Sequence, residues 1–368
     1  MTNFDSPLMV VVAGGTGGHV YPALALALEM RHRGLRIVWL GTNNGLEVKI
    51  ASNEKIPFYG LPVAGLRGKS LTKKIIASFM LLLSLFQAIY LIRKLNPFCV
   101  LGMGGYASVP GAIAAWLLRK PLLIQEQNAV AGTANRFLAP LASVVISGFS
   151  DAFKNIKNIA VLGNPVREDF LKLSESKPFS YVPNRKLRVL ILGGSLGAKK
   201  LNEIVVSVIN EIDRAVFDKK LEVWHQCGIN HADAVLDSYQ DIDGKNIRVS
   251  PYIEHMAKAY AWADLVLSRA GALTISELAI MGRPSLLVPL PNAIDDHQSK
   301  NGAILAKCGA ARLLNQNDLS NLKLKNLLLY LMDEPKILKK MAQSASAVAK
   351  PHATRDICML CMEYLDRE

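Results

Sequence analysis

Residues 10–18 read VVVAGGTGG, and residues 189–197 repeat the pattern as VLILGGSLG. In each copy a run of apolar residues typical of a buried strand breaks into a glycine-rich turn, and a helical pattern follows. Glycines allow a positive φ and a close approach of the backbone to a ligand, while a helix N-terminus offers unpaired N–H groups and a positive dipole end. The repeat therefore predicts two nucleotide-fold domains, each with an anion-binding turn, facing a shared cleft.

Short apolar segments alternate with helical stretches along the whole chain. Strands are predicted at 8–13, 36–40, 98–101, 121–124, 143–146, 187–192, 222–225, 247–249, 265–267 and 285–288, and the first helix at 22–33. This alternation is typical of α/β proteins with doubly wound parallel sheets, in which ligands lie beyond the carboxyl ends of the strands.

The length of 368 residues favours two domains. Pro, Ser and Lys accumulate after residue 164, which places the boundary there. We therefore predict a first domain of residues 1–165 and a second of residues 166–350. The last amphipathic stretch, 351–368, is expected to return and pack on the first domain.

The net charge of +13 is unevenly distributed. Residues 1–165 hold 16 Lys and Arg against 6 Asp and Glu, whereas the rest of the chain holds 27 against 24. A basic half indicates an anionic partner, either a nucleic acid, an anionic membrane or a phosphorylated substrate, or else a solvated basic face. With 7% aromatic residues and no nucleic-acid motif, the sequence argues against nucleic acid.

Residues 75–92 contain no charge, with Lys69, Lys73 and Lys74 before them and Arg93 and Lys94 after. The segment is long and apolar enough for a transmembrane helix. A crossing would, however, separate two strands that belong in one sheet. The sequence favours a helix that packs on its own domain and presents apolar surface with a basic rim to the membrane interface, and an ordinary core helix is the alternative.

The cysteines and the N-terminus bear on the compartment. Five cysteines do not indicate a disulfide framework, and residues 1–7 lack the basic region of a signal peptide, so we expect a cytosolic protein. Cys358 and Cys361 form a C-x-x-C pair. Without a second pair, two small residues one helical turn apart are favoured over a zinc or redox site.

His19 directly follows the first glycine-rich turn. That turn matches neither the dinucleotide fingerprint nor the phosphate loop. An imidazole at the start of the helix is placed over the predicted cleft, where it can act as a general base while neutral. A structural His that caps the turn is the alternative.

Other polar groups follow predicted strands and should converge on the same cleft. Gly104–Tyr106 and Gln125–Asn128 do so in the first half, and Arg167 lies at the domain junction, where it can meet a phosphate. In the second half Ser268–Glu277 forms another strand-to-helix turn, whose N–H groups suit a diphosphate and whose Glu277 can accept two ribose hydroxyls. Asp295–Gln298 ends a further polar loop.

These segments closely resemble the MurG family of N-acetylglucosaminyltransferases of peptidoglycan synthesis, which have the GT-B fold. The resemblance covers nearly the whole chain, and its motifs occur in the family's order: GGTGGHVYPALALA, LRGK, GMGGYAS, EQN, GNPVR, GGSLGA, YAWADL, SRAGALTISELA and DDHQ. It implies transfer of GlcNAc from UDP-GlcNAc, with inversion, to the 4-hydroxyl of the muramoyl sugar of lipid I (undecaprenyl-diphosphate-MurNAc-pentapeptide), giving lipid II and UDP. It also implies a peripheral enzyme on the anionic cytoplasmic face of the bacterial plasma (inner) membrane, without a required cofactor and at most stimulated by a divalent cation.

The resemblance assigns site residues one by one. The donor site falls on Thr16, Gly17, Gly18, Asn128, Arg167, Ser195, Ile253, Ala272, Leu273, Thr274, Glu277, His297 and Gln298. The acceptor site falls on Gly104, Gly105, Tyr106 and Glu126. His19 is the expected base and Glu126 the second candidate, while the helix N-termini after Ser195 and Gly271 are expected to stabilise the leaving diphosphate in place of a metal.

Two positions depart from the family's pattern. Gln125 stands where the family usually has His, and Leu196 replaces a common Gln. Gln125 can donate and accept hydrogen bonds but cannot titrate, and Leu196 removes an amide near the donor diphosphate. Asp241 and Asp243 match a metal-binding Asp-x-Asp pattern, which we interpret as coincidental.

Three other functions are weighed against this one. Another GT-B glycolipid transferase that uses a UDP-sugar is the nearest, and donor specificity would distinguish it. A UDP-sugar epimerase would share the two-domain cleft but needs no lipid surface. A nucleic-acid-binding protein would explain the charge, but it predicts aromatic residues interleaved with the basic ones, and the chain has only 7% aromatic residues.

Overall fold

The computed structural model describes residues 6–63, 71–153, 156–182, 185–194, 197–239, 246–291 and 294–365, with backbone only at 71–75 and 294. The chain forms two compact units. The first contains Met1–Arg167 together with Lys350–Glu368, and the second contains Glu168–Ala349.

The first unit contains a seven-stranded sheet in the order β3-β2-β1-β4-β5-β6-β7. All of its strand pairs are parallel. Its strands are β1 Leu8–Val12, β2 Arg36–Thr42, β3 Phe58–Leu61, β4 Cys99–Gly102, β5 Leu122–Glu126, β6 Val144–Ser147 and β7 Ile159–Val161. Its helices are α1 Gly17–His32, α2 Leu46–Asn53, α3 Leu71–Leu95, α4 Ser108–Leu117 and α5 Thr133–Leu138, with a 3₁₀ turn at Ala139–Leu141.

The second unit contains a six-stranded parallel sheet in the order β10-β9-β8-β11-β12-β13. Its strands are β8 Leu187–Leu192, β9 Leu221–Gln226, β10 Ile247–Ser250, β11 Leu265–Ser268, β12 Ser285–Leu287 and β13 Ala311–Leu313. Its helices are α6 Glu168–Ser176, α7 Lys199–Asn210, α8 Arg214–Lys220, α9 Ala232–Asp237, α10 Met256–Trp262, α11 Ala272–Met281, α12 His297–Lys307, α13 Asn321–Asp333 and α14 Pro335–Ala347. Short 3₁₀ turns occupy Ile229–His231, Ile294–Asp296 and Gln316–Asp318.

The predicted fold class is confirmed, because both sheets are parallel and have helices between their strands. The sequence missed β3, β7 and β13, which have three or four residues each and are not fully buried. The predicted first helix at 22–33 was wrong at its start. Helix α1 begins at Gly17, so His19 is its third residue and Pro22 lies inside it.

Helix α3 is the crossover between β3 and β4, and both strands belong to the same sheet. Among the described residues it is the one helix long and apolar enough to cross a membrane, with a mean hydropathy of 1.8 over a window that is only 28% buried. Its buried side includes Ala77, Ser84 and Ala88. Because a membrane crossing would pull the two strands apart, α3 belongs to the fold of its own unit.

The segment after Lys350 completes the first unit. It ends in α15, Ala353–Met362, which adds Ile357, Cys358 and Cys361 to the core beneath β1. The Thr354 hydroxyl donates to the Val166 carbonyl at 3.0 Å, which ties the helix to the segment that follows β7. Cys358 and Cys361 are both buried, and burial raises the pKa of the Cys358 thiol. A raised pKa is typical of a packed, unreactive cysteine and not of a redox-active one.

Candidate active site

The first glycine-rich turn follows β1 and is supported by Glu47, which is fully buried at the start of α2. The Glu47 carboxylate accepts hydrogen bonds from the Gly15 N–H at 3.3 Å, the Thr42 N–H at 2.9 Å and the Thr42 hydroxyl at 2.7 Å. A Cβ added at Gly14 would collide with this carboxylate. The glycine at position 14 is therefore needed for packing on Glu47.

His19 lies in the first turn of α1 and is half-buried. Its ring does not cap the turn, since Nδ1 is hydrogen-bonded to Gln127 Oε1 at 2.8 Å. Within the part of the chain that the structure describes, no hydrogen bond engages His19 Nε2. One ring nitrogen is thus anchored by Gln127.

The Gly104–Gly105 turn after β4 packs against the His19 ring. Both glycines have positive φ, +86° and +74°. A Cβ at Gly104 would lie 3.3 Å from His19 Cε1, and one at Gly105 would lie 3.3 Å from His19 Cδ2. The structure therefore brings the predicted acceptor-site glycines into contact with the predicted base, and Tyr106, which follows them, is exposed.

Glu126 ends β5 and is only 1% exposed. One carboxylate oxygen accepts from the Asn128 N–H and side-chain amide at 2.9 and 3.0 Å, and the other accepts from the Gly132 N–H and Asn135 Nδ2 at 3.0 and 2.8 Å. An acceptor hydroxyl would have to compete with these four donors for either oxygen. The arrangement favours a positioning role for Glu126 and leaves His19 as the stronger candidate base.

Gln125 and Asn164 extend this polar network beneath the site. Gln125 Nε2 donates to Asn164 Oδ1 at 3.1 Å, and Asn164 Nδ2 donates to the Gln127 carbonyl at 2.9 Å. Gln125 Oε1 accepts a short hydrogen bond from Gln127 Nε2. All three side chains are buried, so the residue that departs from the family pattern is part of a complete set of amide contacts.

The second glycine-rich turn is supported by a neutral side chain. Gln226, at the end of β9, accepts from the Gly194 N–H at 3.2 Å and donates to the Gly194 carbonyl at 2.8 Å. Behind the turn, His225 is fully buried, with Nε2 3.2 Å from Asn202 Oδ1 and Nδ1 3.0 Å from the Tyr239 hydroxyl. Burial lowers the pKa of His225 to about 3, so the ring is neutral near pH 7.

A second strand-to-helix turn in this unit joins β11 to α11, whose N-cap is Gly271. Ala272, Leu273 and Thr274 form its first helical turn, so the predicted strand-to-helix turn is present, and its binding of a diphosphate stays a prediction. Glu277 is one turn further, and its Oε2 accepts from the Tyr260 hydroxyl at 3.2 Å. Arg269 fixes the turn from below by donating to the Val288 and Pro289 carbonyls and to Gln316 Oε1.

The remaining predicted donor residues are dispersed over loops and helix ends. Ile253 is buried after β10, and His297 is the first residue of α12. Gln298 Oε1 accepts from the Leu290 N–H at 2.9 Å. Arg167 is the last residue of the first unit, with its guanidinium 5.5 Å from the centre of the Tyr21 ring.

Some predictions fall outside the described residues: Ser195, Leu196, the LRGK motif at 66–69, and Asp241 and Asp243. Thr16, Gly17 and Gly18 are described, and they form the N-cap and first two residues of α1. Among the residues that the structure describes, no cluster of His, Cys, Asp and Glu is arranged to hold a metal ion.

Sequence reasoning missed Glu47 and Gln226, which support the two glycine-rich turns, and gave no role to Gln127. Gln226 carried a signal, because it is a polar residue at the end of an apolar strand. Gln127 lay inside a quoted motif. Glu47 had no signal beyond its place in the first turn of a helix.

Sequence comparison identifies both units. The glycosyltransferase family 28 N-terminal domain matches residues 9–147, and the glycosyltransferase family 28 C-terminal domain matches residues 188–357. The UDP-N-acetylglucosamine--N-acetylmuramyl-(pentapeptide) pyrophosphoryl-undecaprenol N-acetylglucosamine transferase of Stutzerimonas stutzeri is 47% identical over 96% of this chain and 98% of its own length. The Azotobacter vinelandii protein of the same name is 46% identical with the same coverage.

Solved structures agree. The crystal structure of Acinetobacter baumannii MurG superposes with a TM-score of 0.78 at 37% identity, over 97% of this chain and 99% of that one. A Neisseria meningitidis UDP-GlcNAc 2-epimerase shares only the fold, at 15% identity and a TM-score of 0.66, over 98% of this chain and 100% of that one. The chain therefore belongs to glycosyltransferase family 28 and, within it, to the MurG family of N-acetylglucosaminyltransferases.

Proposed function

We propose that this protein transfers GlcNAc from UDP-GlcNAc to the 4-hydroxyl of the MurNAc-pentapeptide of lipid I, forming lipid II and UDP with inversion at the anomeric carbon. The observation that carries the proposal is the 47% identity, over nearly the full length, to a transferase named for this reaction. The contact that anchors His19 Nδ1 on Gln127 supports His19 as the base that such a reaction needs.

The proposed chemical step is a single displacement. Neutral His19 takes the proton of the acceptor hydroxyl as its oxygen attacks C1 of GlcNAc from the face opposite UDP. The bond between C1 and the diphosphate oxygen breaks, and its electron pair leaves with UDP. A positioned base contributes about 10²–10⁴-fold to the rate of such a step.

The donor side of the proposal rests on the second unit. The N–H groups at the start of α11 and the turn at Gly193–Gly194 suit the leaving diphosphate, since helix N-termini and turn amides stabilise developing negative charge. Glu277 is proposed to bind the ribose hydroxyls, and Arg167 a phosphate. With these groups in place we propose that no cofactor is required and that a divalent cation at most stimulates the reaction.

We also propose that the first unit binds the anionic cytoplasmic face of the plasma membrane peripherally, through the exposed side of α3. Ile76, Phe79, Leu83, Phe86 and Tyr90 follow each other at helical spacing and are 46–68% exposed. Arg93 and Lys94 lie in the last turn of the helix. An apolar stripe beside basic residues is typical of a helix that lies in the membrane interface.

Vesicle sedimentation tests the membrane proposal. Phe79→Ser with Phe86→Ser should lower partitioning onto phosphatidylglycerol-containing vesicles about tenfold or more, because two exposed aromatic rings lose their insertion energy. Leu322→Ser is the control, since Leu322 is equally exposed on α13 of the second unit. Equal binding of both variants would contradict the proposal.

The activity test measures UDP release from UDP-GlcNAc with and without a short-chain, soluble lipid I analogue. Release that depends on the analogue, fails with UDP-glucose and persists in EDTA supports the donor, the acceptor and the metal-independence together. Release without an acceptor would indicate hydrolysis or epimerisation. No release with this acceptor but release with another glycolipid would indicate a different GT-B activity.

A further inference from the structure

We propose that Gln127 is a positioning residue that fixes the tautomer of His19, with the proton on Nδ1 and the basic lone pair on Nε2. The inference rests on the proposed role of His19 as the base. It concerns a residue outside both the donor and the acceptor sites described above.

The contacts of Gln127 determine how its amide is oriented. Gln127 is 1% exposed, and its nitrogen faces three acceptors, the Met103 carbonyl at 2.9 Å, the Gln125 carbonyl at 3.3 Å and Gln125 Oε1. Turning the amide over would place its oxygen against these three oxygens. Oε1 must therefore be the atom that faces His19.

An acceptor at 2.8 Å from Nδ1 requires a proton on Nδ1. In a neutral imidazole the other nitrogen then carries the lone pair, because the hydrogen bond at one ring nitrogen sets the state of the other. Nε2 is the nitrogen for which the described residues offer no hydrogen-bond partner. The contact with Gln127 thus leaves the unengaged nitrogen as the basic one.

The partner is an amide rather than a carboxylate, and this matters for a base. A carboxylate would stabilise the imidazolium and keep the base protonated. The chain of side-chain contacts from His19 runs through Gln127 and Gln125 to Asn164, and none of these three can titrate. The nearby carboxylates are engaged elsewhere, Glu47 by Gly15 and Thr42, and Glu126 by the loop that follows β5.

The ring packing supports the same role. The imidazole lies against the backbone of Gly104 and Gly105, so it cannot turn freely about its own axis. Packing fixes the plane of the ring, and Gln127 fixes which nitrogen is anchored. Removal of Gln127 should leave the ring in place without a defined tautomer.

The direct test is the tautomer of His19, read from the ¹⁵N shifts of its two ring nitrogens in the full-length protein at pH 8. The His19→Gln variant assigns the signals among the seven histidines. We expect the Nδ1–H form in the wild type. Gln127→Leu should move toward the Nε2–H form, which free imidazole side chains prefer in water.

The kinetic test uses the same variants with UDP-GlcNAc and the soluble lipid I analogue. Gln127→Leu should lower kcat about 10- to 100-fold, with the KM for UDP-GlcNAc changed by less than about twofold. Gln87→Leu is the matched control. Gln87 also donates to a backbone carbonyl of the first unit, that of Gly60 at 3.1 Å, without contacting His19.

The outcomes separate the inference from the function on which it rests. An Nε2–H tautomer in the wild type, or an unchanged tautomer in Gln127→Leu, would overturn the inference whatever the activity. A changed tautomer with the kcat of the Gln87→Leu control would overturn the positioning role. If the wild type releases no UDP with the analogue, the proposed function fails, and the ¹⁵N shifts still decide whether Gln127 sets the tautomer.

Discussion

The two glycine-rich turns have nearly the same sequence, but side chains of different charge support them. In the first unit the buried Glu47 carboxylate accepts the Gly15 N–H. In the second unit the Gln226 amide makes two hydrogen bonds to Gly194, and the histidine next to it, His225, is held neutral. The glycine-rich turn of the first unit therefore lies above a negatively charged side chain, whereas that of the second unit lies above neutral side chains.

This difference separates what the two turns are suited to do. A carboxylate behind the first turn offsets the positive end of α1, which makes the turn less favourable for a second anion and more suitable for presenting His19. The second turn keeps its full preference for negative charge. The comparison thus supports base catalysis at the first turn and diphosphate binding at the second.

Replacing His19 should have the largest effect on catalysis. It should lower kcat through the first turn and leave UDP binding at the second turn unchanged. For His19→Ala we expect kcat to fall about 10²–10⁴-fold while the dissociation constant of UDP stays within about twofold, because the ring acts on the acceptor proton. Steady-state kinetics and UDP titration calorimetry measure the two quantities. His32→Ala, on an exposed residue at the other end of α1, is the control. Near-normal turnover would remove His19 as the base.

Replacing Glu47 and Gln226 by Ala should lower the local free energy of unfolding of the two turns by different amounts. Glu47→Ala leaves three donors without their charged acceptor, so the local free energy of unfolding around the first turn should fall by about 3 kcal/mol or more. Gln226→Ala should cost the second turn about 1–2 kcal/mol. Hydrogen exchange of peptides covering residues 8–20 and 187–202 measures each unit by itself. Equal losses would contradict the proposed contrast in charge.

Acid should weaken the second unit through His225. The unfolded residue takes up a proton below its ordinary pKa of 6.5, whereas the folded one does so only near 3. Stability should therefore be lost as the pH falls from 6.5 towards 3, by about 1.4 kcal/mol per pH unit for this one proton.

Urea unfolding of the second unit at pH 6.5 and 4.5, followed by hydrogen exchange of residues 221–226, measures this loss. His225→Gln should have a shallower acid dependence than the wild type. His255→Asn is the control, because His255 is exposed. The same slope in all three proteins would exclude His225 as the cause.

Giving each turn the type of side chain that lies behind the other, by Gln226→Glu and Glu47→Gln, should have the smallest effect. These two variants test the comparison of the turns most directly. Gln226→Glu adds a negative charge behind the second turn, which at roughly 10 Å and a dielectric constant of about 20 costs about 1.7 kcal/mol and weakens UDP binding about 20-fold. Glu47→Gln in the first turn should leave UDP affinity within about twofold. Calorimetry at two salt concentrations measures both, and an equal change would mean that the second turn does not hold the diphosphate.

The fold class was predictable because it depends on local patterns. Apolar runs such as residues 189–192 are buried on both faces and are recognisable without knowledge of their neighbours. β13 was missed because it has three residues, of which Arg312 and Leu313 are exposed. The start of α1 was missed because two glycines and an internal proline disfavour a helix locally, whereas packing on the sheet stabilises it.

The candidate site was predictable to the extent that it follows strand ends. His19, Gly104 and Gly105 come after β1 and β4, and the structure brings them into contact. The side chains that hold His19 and the first glycine-rich turn could not be predicted, since each contact joins two residues that are far apart in sequence. His19 and Gln127 are 108 residues apart, and Gly15 and Glu47 are 32 residues apart. The roles of the donor and acceptor residues stay predictions.

The return of α15 to the first unit sets an order of events during synthesis. The core under β1 contains Ile357, Cys358, Cys361 and Tyr364, so it cannot close until these residues have left the ribosome. The second unit is continuous from Glu168 to Ala349 and can fold before that. The half of the chain that is made first is thus the half that is finished last.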